Sequence, residues 1–257
     1  MFVDPVSSNY EAFGPNFLSV PNGKAVIFGI PKSGNAWLQS MLVAYFDTDP
    51  VLTIKDSDTK GVLSIHDPYD EAMQFRLDFA NGVCLIRDIR DVIVSYYHYG
   101  QTEEFKRAMT RFYYEDFEAF YYEWFLSRCV PSHQLHTFAQ NYAERGIPIV
   151  RYERLQADPD RELSILIARW GFTPDMERIK AITQAHHLKI LKTKGIDIGY
   201  HVEKSHFRKG GWGNFLTEMP SHILRDVNER FEDFLKRWGY PVELSEVEIA
   251  KFQNGLI

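Results

Sequence analysis

The stretch VIFGIPKSGNAWLQSMLVAYF, residues 26–46, carries the strongest structural signal in the sequence. It begins with a short apolar run that is typical of a buried strand, and Leu38, Leu42 and Tyr45 then recur at helical intervals. A short turn containing Lys32 separates the two halves. Such a turn favours anions, because the backbone N–H groups at a helix N-terminus have no acceptor within the helix. The stretch therefore predicts a strand, an anion-binding turn and a helix.

Four apolar runs alternate with helical patterns along the chain and cover residues 25–30, 62–66, 82–87 and 147–152. This alternation predicts an α/β protein, a P-loop-like three-layer fold with a mostly parallel central sheet flanked by helices. Ligands bind beyond the carboxyl ends of the strands in such folds. The sequence shows no repeat, low-complexity block or Gly/Ser linker, so we expect a single domain spanning residues 1–257.

The overall charge argues against polyanionic partners. The formal net charge is -6, from 29 Lys plus Arg and 35 Asp plus Glu, so we expect binding to neither nucleic acid nor anionic membranes. With two cysteines, one of them Cys84 in an apolar run, a disulfide framework is not expected and a reducing compartment is indicated. The first residues have no secretory pattern and no segment is long enough to span a bilayer, so we expect a cytoplasmic protein.

Two further clusters of possible anion ligands follow the first. In LIRDIRDVIVSYYHY, residues 85–99, Arg87 ends a predicted strand and Ser95 lies about two helical turns later, so both could contact one anion. In FRKGGWGNF, residues 207–215, adjacent cations lie in a glycine-rich segment whose backbone N–H groups could also face an anion. The surrounding segment, Gly195 to Gly213, is predicted to be a long functional loop.

Other interpretations of single features remain open at this point. Taken alone, the first turn could be an ordinary strand-to-helix connection whose lysine faces water, and it lacks the spacing of a Walker A motif. Arg90 and Asp91 are expected to form a solvated pair.

Taken in order, the three clusters resemble motifs of the sulfotransferases that use 3'-phosphoadenosine 5'-phosphosulfate (PAPS). The matching stretches are PKSGNAWL (31–38), RDIRDVIVSYYHY (87–99) and RKGGWGNF (208–215), with SIHDP (64–68) and VRYERLQADP (150–159) between them. The resemblance covers most of the chain. It implies sulfuryl transfer from PAPS to a hydroxyl or amine nitrogen of a small molecule, with adenosine 3',5'-bisphosphate as the product and no metal requirement.

The resemblance also implies a role for each matching residue. The 5'-phosphosulfate is expected at Lys32 and the turn after it, and the 3'-phosphate at the second and third clusters. Trp37 should stack on adenine, and Tyr152 should meet its edge. The expected cofactor site comprises Lys32, Ser33, Gly34, Asn35, Ala36, Trp37, Arg87, Ser95, Tyr152, Leu188, Arg208, Lys209 and Gly210.

The expected catalytic residues are Lys32, His66 and Ser95. By the resemblance, Lys32 contacts the leaving oxygen and His66 is the base that takes the acceptor's proton. An imidazole titrates close to working pH, which suits that task. The remaining histidines are expected to be structural: His98 by packing, His186 and His187 in a helical stretch, and His133 and His136 on a helix face.

The sequence departs from the family pattern in several places. Asn35 and Ala36 replace two threonines, so backbone amides must supply the missing donors. Leu188 stands where an adenine-stacking phenylalanine is expected. The segment between Lys32 and His66 is shorter than in the familiar animal enzymes, so acceptor specificity does not carry over. The animal dimer motif is not evident around Thr217, and the oligomeric state is left open.

The stretch RFYYEDFEAFYYEWF, residues 111–125, bears on the acceptor and has two interpretations. It is either an amphipathic helix with its rings in the core and its carboxylates in water, or an acidic, ring-lined pocket for a small cation. The second interpretation would suit a nitrogen-rich alkaloid. It would place the chain with small bacterial sulfotransferases of natural-product pathways, including those that modify toxins such as saxitoxin.

Two rival functions are considered from other classes. One is a P-loop nucleotide kinase or phosphotransferase, which shares the strand–turn–helix phosphate site, although the chain lacks Gly-Lys-Ser/Thr and a metal-binding aspartate. The other is a catalytically idle nucleotide-binding protein, although the chain retains both Lys32 and His66.

Overall fold

The computed structural model describes residues 24–51, 61–74, 81–103, 106, 113–197, 201–202 and 207–255. The first residues of the chain and the start of the stretch 111–125 lie outside these ranges. The single domain over residues 1–257 stays a prediction.

A five-stranded parallel sheet forms the centre of the molecule. Its strands are β1 (Lys24–Gly29), β2 (Pro50–Val51), β3 (Gly61–Ile65), β4 (Gly82–Ile86) and β5 (Ile149–Arg151). Their spatial order is β2-β3-β1-β4-β5, so β1 lies in the middle with β3 and β4 on either side. The four longer strands agree with the four predicted runs, whereas β2 is only two residues long and was not predicted.

The described helices lie between and after the strands. They are α1 (Asn35–Phe46), α2 (Tyr69–Gln74), α3 (Ile89–Gly100), α4 (Phe117–Ala119), a π-helix (Phe120–Cys129), α5 (Val130–Ser132), α6 (Phe138–Ala143), α7 (Tyr152–Ala157), α8 (Pro159–Arg169), α9 (Met176–Ala185), α10 (Leu188–Lys194), α11 (Phe215–Glu218), α12 (Ser221–Arg230), α13 (Glu232–Arg237) and α14 (Glu246–Asn254). In the part of the chain that the structure describes, no helix is both long and apolar enough to cross a membrane.

The two faces of β1 show how the sheet divides the core. Val26 and Phe28 pack into one apolar cluster, whereas Ala25 and Ile27 pack into the other. Alternate side chains of a strand point to opposite faces, so a central strand that is apolar throughout must be covered on both sides. Helices supply that cover on each side, which confirms the predicted three-layer α/β arrangement.

The segment 195–213 is less irregular than predicted. Within it, β6 (Ile196–Asp197) and β7 (His201–Val202) form a short antiparallel pair. The part of the segment closest to the sheet, from Phe207 onwards, is held against α3 by contacts described below.

Buried charges fix the junction between β4 and α3. The Arg90 guanidinium donates to both carboxylate oxygens of Asp88, at 2.8 and 2.6 Å, and to the carbonyl of Pro241 at 2.9 Å. Arg90 and Asp91 are both buried, so the prediction of a solvated pair is wrong. Arg90 instead ties the start of α3 to the C-terminal part of the chain, where its planar donor fork meets fixed acceptors.

Glu153 lies next to this junction and is also buried. It accepts hydrogen bonds from the Asp88 backbone N–H and from the Tyr240 hydroxyl, each at 2.9 Å. Burial raises the pKa of the Glu153 carboxyl to about 7, above its ordinary value of 4.5. The folded protein therefore binds a proton at Glu153 in a pH range where the unfolded chain has released it.

This proton uptake predicts a pH-dependent stability. Because the folded-state pKa is raised, the free energy of unfolding should fall as the pH rises from about 4.5 to about 7. Glu153→Gln should flatten this decline by roughly 3 kcal/mol over the interval, since each pKa unit is worth roughly 1.4 kcal/mol. Urea unfolding at several pH values measures the effect. The exposed Glu177→Gln variant is the control, and an unchanged slope in Glu153→Gln would refute the assignment.

Candidate active site

The turn between β1 and α1 has the backbone of an anion-binding loop. Lys32 adopts a left-handed conformation with φ 67°, and Gly34 follows with φ 95°. A Cβ atom at residue 34 would lie 2.7 Å from the Tyr152 ring, so both the backbone and the available space require glycine there. The amides of Asn35 and Ala36 begin α1, and the first turn of a helix holds no acceptor for them. The turn can therefore present these N–H donors and one ammonium to a single anion.

The Asn35 side chain packs between this turn and the end of β1. Its side chain is buried, and its Nδ2 donates to the Ile30 carbonyl at 3.1 Å. A Cβ atom at Gly29 would lie 1.8 Å from the Asn35 Oδ1 atom, so the amide fills the space that glycine leaves at the end of β1. The amide that replaces a family threonine thus uses one of its donors inside the protein.

Arg87 joins the turn to the glycine-rich segment far along the chain. Its guanidinium donates to the Lys32 carbonyl at 3.3 Å and to the Gly211 carbonyl at 3.1 Å. It also stacks on the Tyr152 ring at 4.5 Å, and the Asp91 carboxylate lies 3.9 Å away. One buried guanidinium therefore contacts all three segments that the sequence analysis assigns to anion binding.

Two aspartates of the β4–α3 junction hold the glycine-rich segment in place. Asp91 accepts from the backbone N–H groups of Gly213 and Phe215 at 2.9 and 3.2 Å. Asp88 accepts from the indole N–H of Trp212 at 2.7 Å. Charge-assisted bonds of this kind are about twice as strong as neutral ones. These three hydrogen bonds fix the segment to the start of α3.

Glu218 forms ion pairs with the cations of the glycine-rich segment. Its carboxylate accepts from Arg208 at 2.9 Å and from Lys209 at 2.7 Å, and it contacts His98 Nε2 at 2.5 Å. The sequence analysis missed Glu218, because nothing at a fixed spacing links it to either partner element. His98, expected to be a packing histidine, instead connects α3 to this carboxylate. Burial lowers the pKa of His98, and the neighbouring Arg208 acts in the same direction.

His66 follows β3 directly, and its side chain lines the same cavity as Lys32 and Arg87. Its Nδ1 lies 2.7 Å from the Gly29 carbonyl, and since a carbonyl only accepts, Nδ1 carries the proton. Nε2 is then the unprotonated nitrogen. The ring has access to the cleft but is surrounded by protein, and this desolvation lowers its pKa. A neutral imidazole with Nε2 available can act as a base near neutral pH.

His133 lies beside His66 and not on the helix face that was predicted. It donates from Nδ1 to the His66 carbonyl at 3.1 Å, and the two ring centroids are 6.5 Å apart. It follows α5 in a turn. No spacing signal in the sequence relates residues 66 and 133.

A cavity of about 350 Å³ at the carboxyl ends of the strands brings these groups together. All of the expected site residues line it except Ser33, which is buried beneath the turn. Those residues are Lys32, Gly34, Asn35, Ala36, Trp37, His66, Arg87, Ser95, Tyr152, Leu188, Arg208, Lys209 and Gly210. The lining also includes Pro31, Ser64, Asp91, Tyr96, Tyr99, Phe207 and Asn214, which sequence reasoning did not name as site residues.

Buried polar atoms around the turn indicate that the cavity fits an anionic group. Ser33 Oγ, Asn35 Oδ1 and Arg87 Nε have no hydrogen-bond partner within the described residues. Buried polar groups are normally paired, so unpaired donors beside an ammonium are suited to a ligand with acceptor oxygens. Of the three, Arg87 lines the cavity and carries a donor of that kind, whereas Ser33 lies beneath the turn and the Asn35 atom is an acceptor.

The cavity also has apolar side chains in its lining, which suit a planar ring. Trp37 is buried, its indole N–H donates to the His186 carbonyl at 2.9 Å, and its ring lies edge-on to Tyr152 at 5.9 Å. Leu188 lies close to the glycine-rich segment, 2.7 Å from where a Cβ of Gly210 would be. These side chains offer apolar surface between the two anion-binding ends.

The aromatic and acidic stretch that suggested a cation pocket is an amphipathic helical segment in its described part, residues 113–125. Phe117, Phe120 and Phe125 are buried in the core, whereas its carboxylates are exposed. Those carboxylates, at Glu115, Asp116, Glu118 and Glu123, do not line the cavity. The geometry thus favours the first of the two interpretations given above.

Comparison with protein families gives a match over most of the chain. Residues 49–239 match the family model "Sulfotransferase domain". A curated relative, "Cytosolic sulfotransferase 3" of Arabidopsis thaliana, is 25% identical over 246 residues, which cover 83% of this chain and 78% of that protein.

Solved structures with a similar fold include mouse sulfotransferase SULT7A1 complexed with PAP. Its TM-score is 0.64 at 18% identity, with 91% of this chain and 88% of that chain covered. Retinol dehydratase in a complex with retinol and PAP has a TM-score of 0.61 at 15% identity, with 84% of this chain and 82% of that one covered. At these identities the similarity establishes a shared fold.

The contacts of Asp91 lead to a test of how the glycine-rich segment is held. Asp91→Asn places an amide N–H₂ against one of two backbone donors, so the segment should open more often. Trypsin cleavage after Arg208 and Lys209, followed by mass spectrometry, should be about tenfold faster in the variant. Asp116→Asn, at an exposed helix cap, is the matched control. Equal cleavage rates in wild type and Asp91→Asn would show that Asp91 does not hold the segment.

Proposed function

The chain belongs to the sulfotransferase family, and we propose that it transfers a sulfuryl group from PAPS to a hydroxyl or amine nitrogen of a small molecule. One observation carries this proposal. Lys32, His66, Arg87 and Arg208, from four segments separated in sequence, line one cavity together with apolar and aromatic side chains. Such a cavity suits an adenosine that carries two separate anionic groups.

The residues present fit such a nucleotide. The 5'-phosphosulfate would lie at the Lys32 ammonium and the N–H groups at the start of α1, which line the cavity together. The 3'-phosphate would lie near Ser95, Arg208 and Lys209. Adenine would pack against the apolar side of the cavity, near Trp37, Tyr152 and Leu188. Arg87 would donate to the 3'-phosphate through Nε, while its terminal nitrogens donate to the carbonyls of Lys32 and Gly211.

PAPS supplies an activated sulfuryl group whose sulfur–oxygen bond to the 5'-phosphate breaks as a bond to the acceptor atom forms. The Lys32 ammonium is placed to stabilise negative charge on the leaving oxygen. The acceptor's proton moves to His66 Nε2, because Nδ1 already carries a proton toward the Gly29 carbonyl. The cavity residues hold both reactants in line, which is the main requirement in transfers of this kind. Neither Lys32 nor His66 needs a metal to perform its step.

The acceptor is proposed only at the level of a small nucleophile. A cationic natural product remains the finer proposal from the sequence, but the carboxylates that suggested it lie outside the cavity. A cytoplasmic location is proposed alongside, since both cysteines, Cys84 and Cys129, are buried free thiols.

Nucleotide binding separates this function from the kinase alternative. Calorimetry with adenosine 3',5'-bisphosphate in the absence of magnesium should show tight binding, whereas a preference for magnesium-ATP would favour a phosphotransferase. The idle-protein alternative is tested with PAPS and a broad panel of phenols, alcohols and amines. If no acceptor in the panel leads to release of the bisphosphate, that result would favour the idle-protein alternative.

Replacing His66 should remove the base but leave nucleotide binding intact. We expect His66→Ala to lower kcat by roughly 10²- to 10⁴-fold, the usual contribution of general base catalysis. The Kd for adenosine 3',5'-bisphosphate should change by less than about threefold, because the ring serves the acceptor side. Steady-state kinetics and calorimetry measure the two quantities. His222→Ala, at an exposed histidine paired with Glu118, is the control. Retained kcat in His66→Ala would exclude His66 as the base.

Replacing Arg208 should instead weaken nucleotide binding. Arg208→Ala is expected to raise the Kd for adenosine 3',5'-bisphosphate by about 10- to 100-fold, since hydrogen bonds to charged groups are worth roughly 1.5–3 kcal/mol. Binding of adenosine 5'-monophosphate, which lacks the 3'-phosphate, should be nearly unchanged. Arg225→Ala, at an exposed arginine of α12, is the control. Equal losses of affinity for the two nucleotides would show that Arg208 does not contact the 3'-phosphate.

A further inference from the structure

The helix α3 presents one polar and aromatic stripe to the cavity. Asp91, Ser95 and Tyr99 are spaced four residues apart, so they lie on one face of the helix. All three line the cavity. Asp91 contacts Arg87 and the glycine-rich segment, and Ser95 lies one turn further on. Tyr99 is the last member of the stripe, and the sequence analysis gave it no role.

The Tyr99 ring lies against the ammonium of the first turn. Lys32 Nζ is 3.8 Å from the centroid of that ring, well within the range of a cation–π contact. Both side chains are half-buried, and both line the cavity. Partial burial strengthens such a contact, because water competes less for the ammonium.

A ring is a different partner from a carboxylate for a lysine that must act on an anion. Glu218 offers Arg208 and Lys209 a full negative charge. The face of Tyr99 attracts the Lys32 ammonium through its quadrupole and leaves the positive charge in place. The contact therefore orients the ammonium and does not itself neutralise its charge.

Position and charge both matter at this lysine. A lysine side chain has four rotatable bonds, and ordering it costs conformational entropy that must otherwise be met when the nucleotide binds. Arg87, Arg208 and Lys209 line the same cavity, and these like charges repel the Lys32 ammonium. A ring face against the ammonium opposes both effects, because it restricts the side chain and attracts the ammonium.

We propose that Tyr99 is a positioning residue for Lys32: its ring face holds the ammonium, charged, where it can donate to the leaving oxygen. This proposal rests on the proposed function, because the leaving oxygen belongs to the PAPS that the proposed reaction uses. The contact between Lys32 and Tyr99 itself is independent of that function.

The first test uses the protein without nucleotide. An amine-reactive reagent is applied, and modification of Lys32 is followed by peptide mass spectrometry across a pH series. Tyr99→Leu should speed the labelling of Lys32 at least threefold throughout the pH series, because the ring no longer restricts the amine, whereas Tyr99→Phe should match wild type. Tyr97→Leu is the matched control, because the Tyr97 ring belongs to the same helix but packs on Phe117 and Phe120. Unchanged labelling in Tyr99→Leu would overturn the contact.

The second test uses turnover of PAPS with the best acceptor from the phenol, alcohol and amine panel. Phenylalanines with increasing numbers of ring fluorines at position 99 weaken the ring's attraction for a cation at nearly constant size. We expect log kcat to fall stepwise along the series, with a total loss of about tenfold and acceptor KM changing less than threefold. A flat series combined with a slow Tyr99→Leu variant would show a packing role only. A change confined to acceptor KM would make Tyr99 an acceptor contact.

The two tests separate the failure of this proposal from failure of the proposed function. If wild type labels as expected but transfers no sulfuryl group to any acceptor, the family chemistry fails and the Lys32–Tyr99 contact stands. If wild type is active but neither labelling nor the fluorine series responds, the sulfotransferase function stands and the positioning role is wrong.

Discussion

The arrangement of the cavity depends on where the Arg87 guanidinium is held. Its two terminal nitrogens bind the carbonyls of Lys32 and Gly211, which belong to segments almost 180 residues apart in sequence, and its plane covers the Tyr152 ring. Backbone carbonyls at tight turns have few partners, so a rigid, always charged fork is well suited to join them. An arginine at the end of a central strand thus fixes the distance between the Lys32 turn and the glycine-rich segment. The interval in which the nucleotide is proposed to bind depends on this one side chain.

The carboxylates near the cavity explain how a protein of net charge -6 can concentrate cations there. Asp91 holds backbone N–H groups, and Glu218 holds Arg208 and Lys209. Hydrogen bonding from these cations lowers the pKa of the Glu218 carboxyl, against the opposing effect of its burial, so the carboxylate form is favoured. Long cationic side chains are costly to order, and a fixed carboxylate partner orders them before any ligand arrives. Negative side chains are in this sense part of the construction of an anion site.

Sequence reasoning succeeded where local pattern determines structure. The strand that precedes Lys32 is apolar from Ala25 onwards because it is covered on both faces, and His66 and Arg87 follow strand ends, where ligands bind in such sheets. It failed where the contact is between distant segments. Arg90 seemed a surface residue from its neighbours, yet its partners include Pro241, and no local pattern reports that. Glu218, His133 and Tyr99 were missed for the same reason, since their roles come from pairings across the fold.

The contact between Gly29 and Asn35 has an evolutionary consequence. The Asn35 amide occupies the volume that any side chain at residue 29 would need. The two positions are therefore expected to be coupled, because any side chain at residue 29 would have to displace the Asn35 amide from the Ile30 carbonyl. A swap of this turn between homologues would carry both residues or neither, and ancestral reconstructions of the two sites must be inferred jointly.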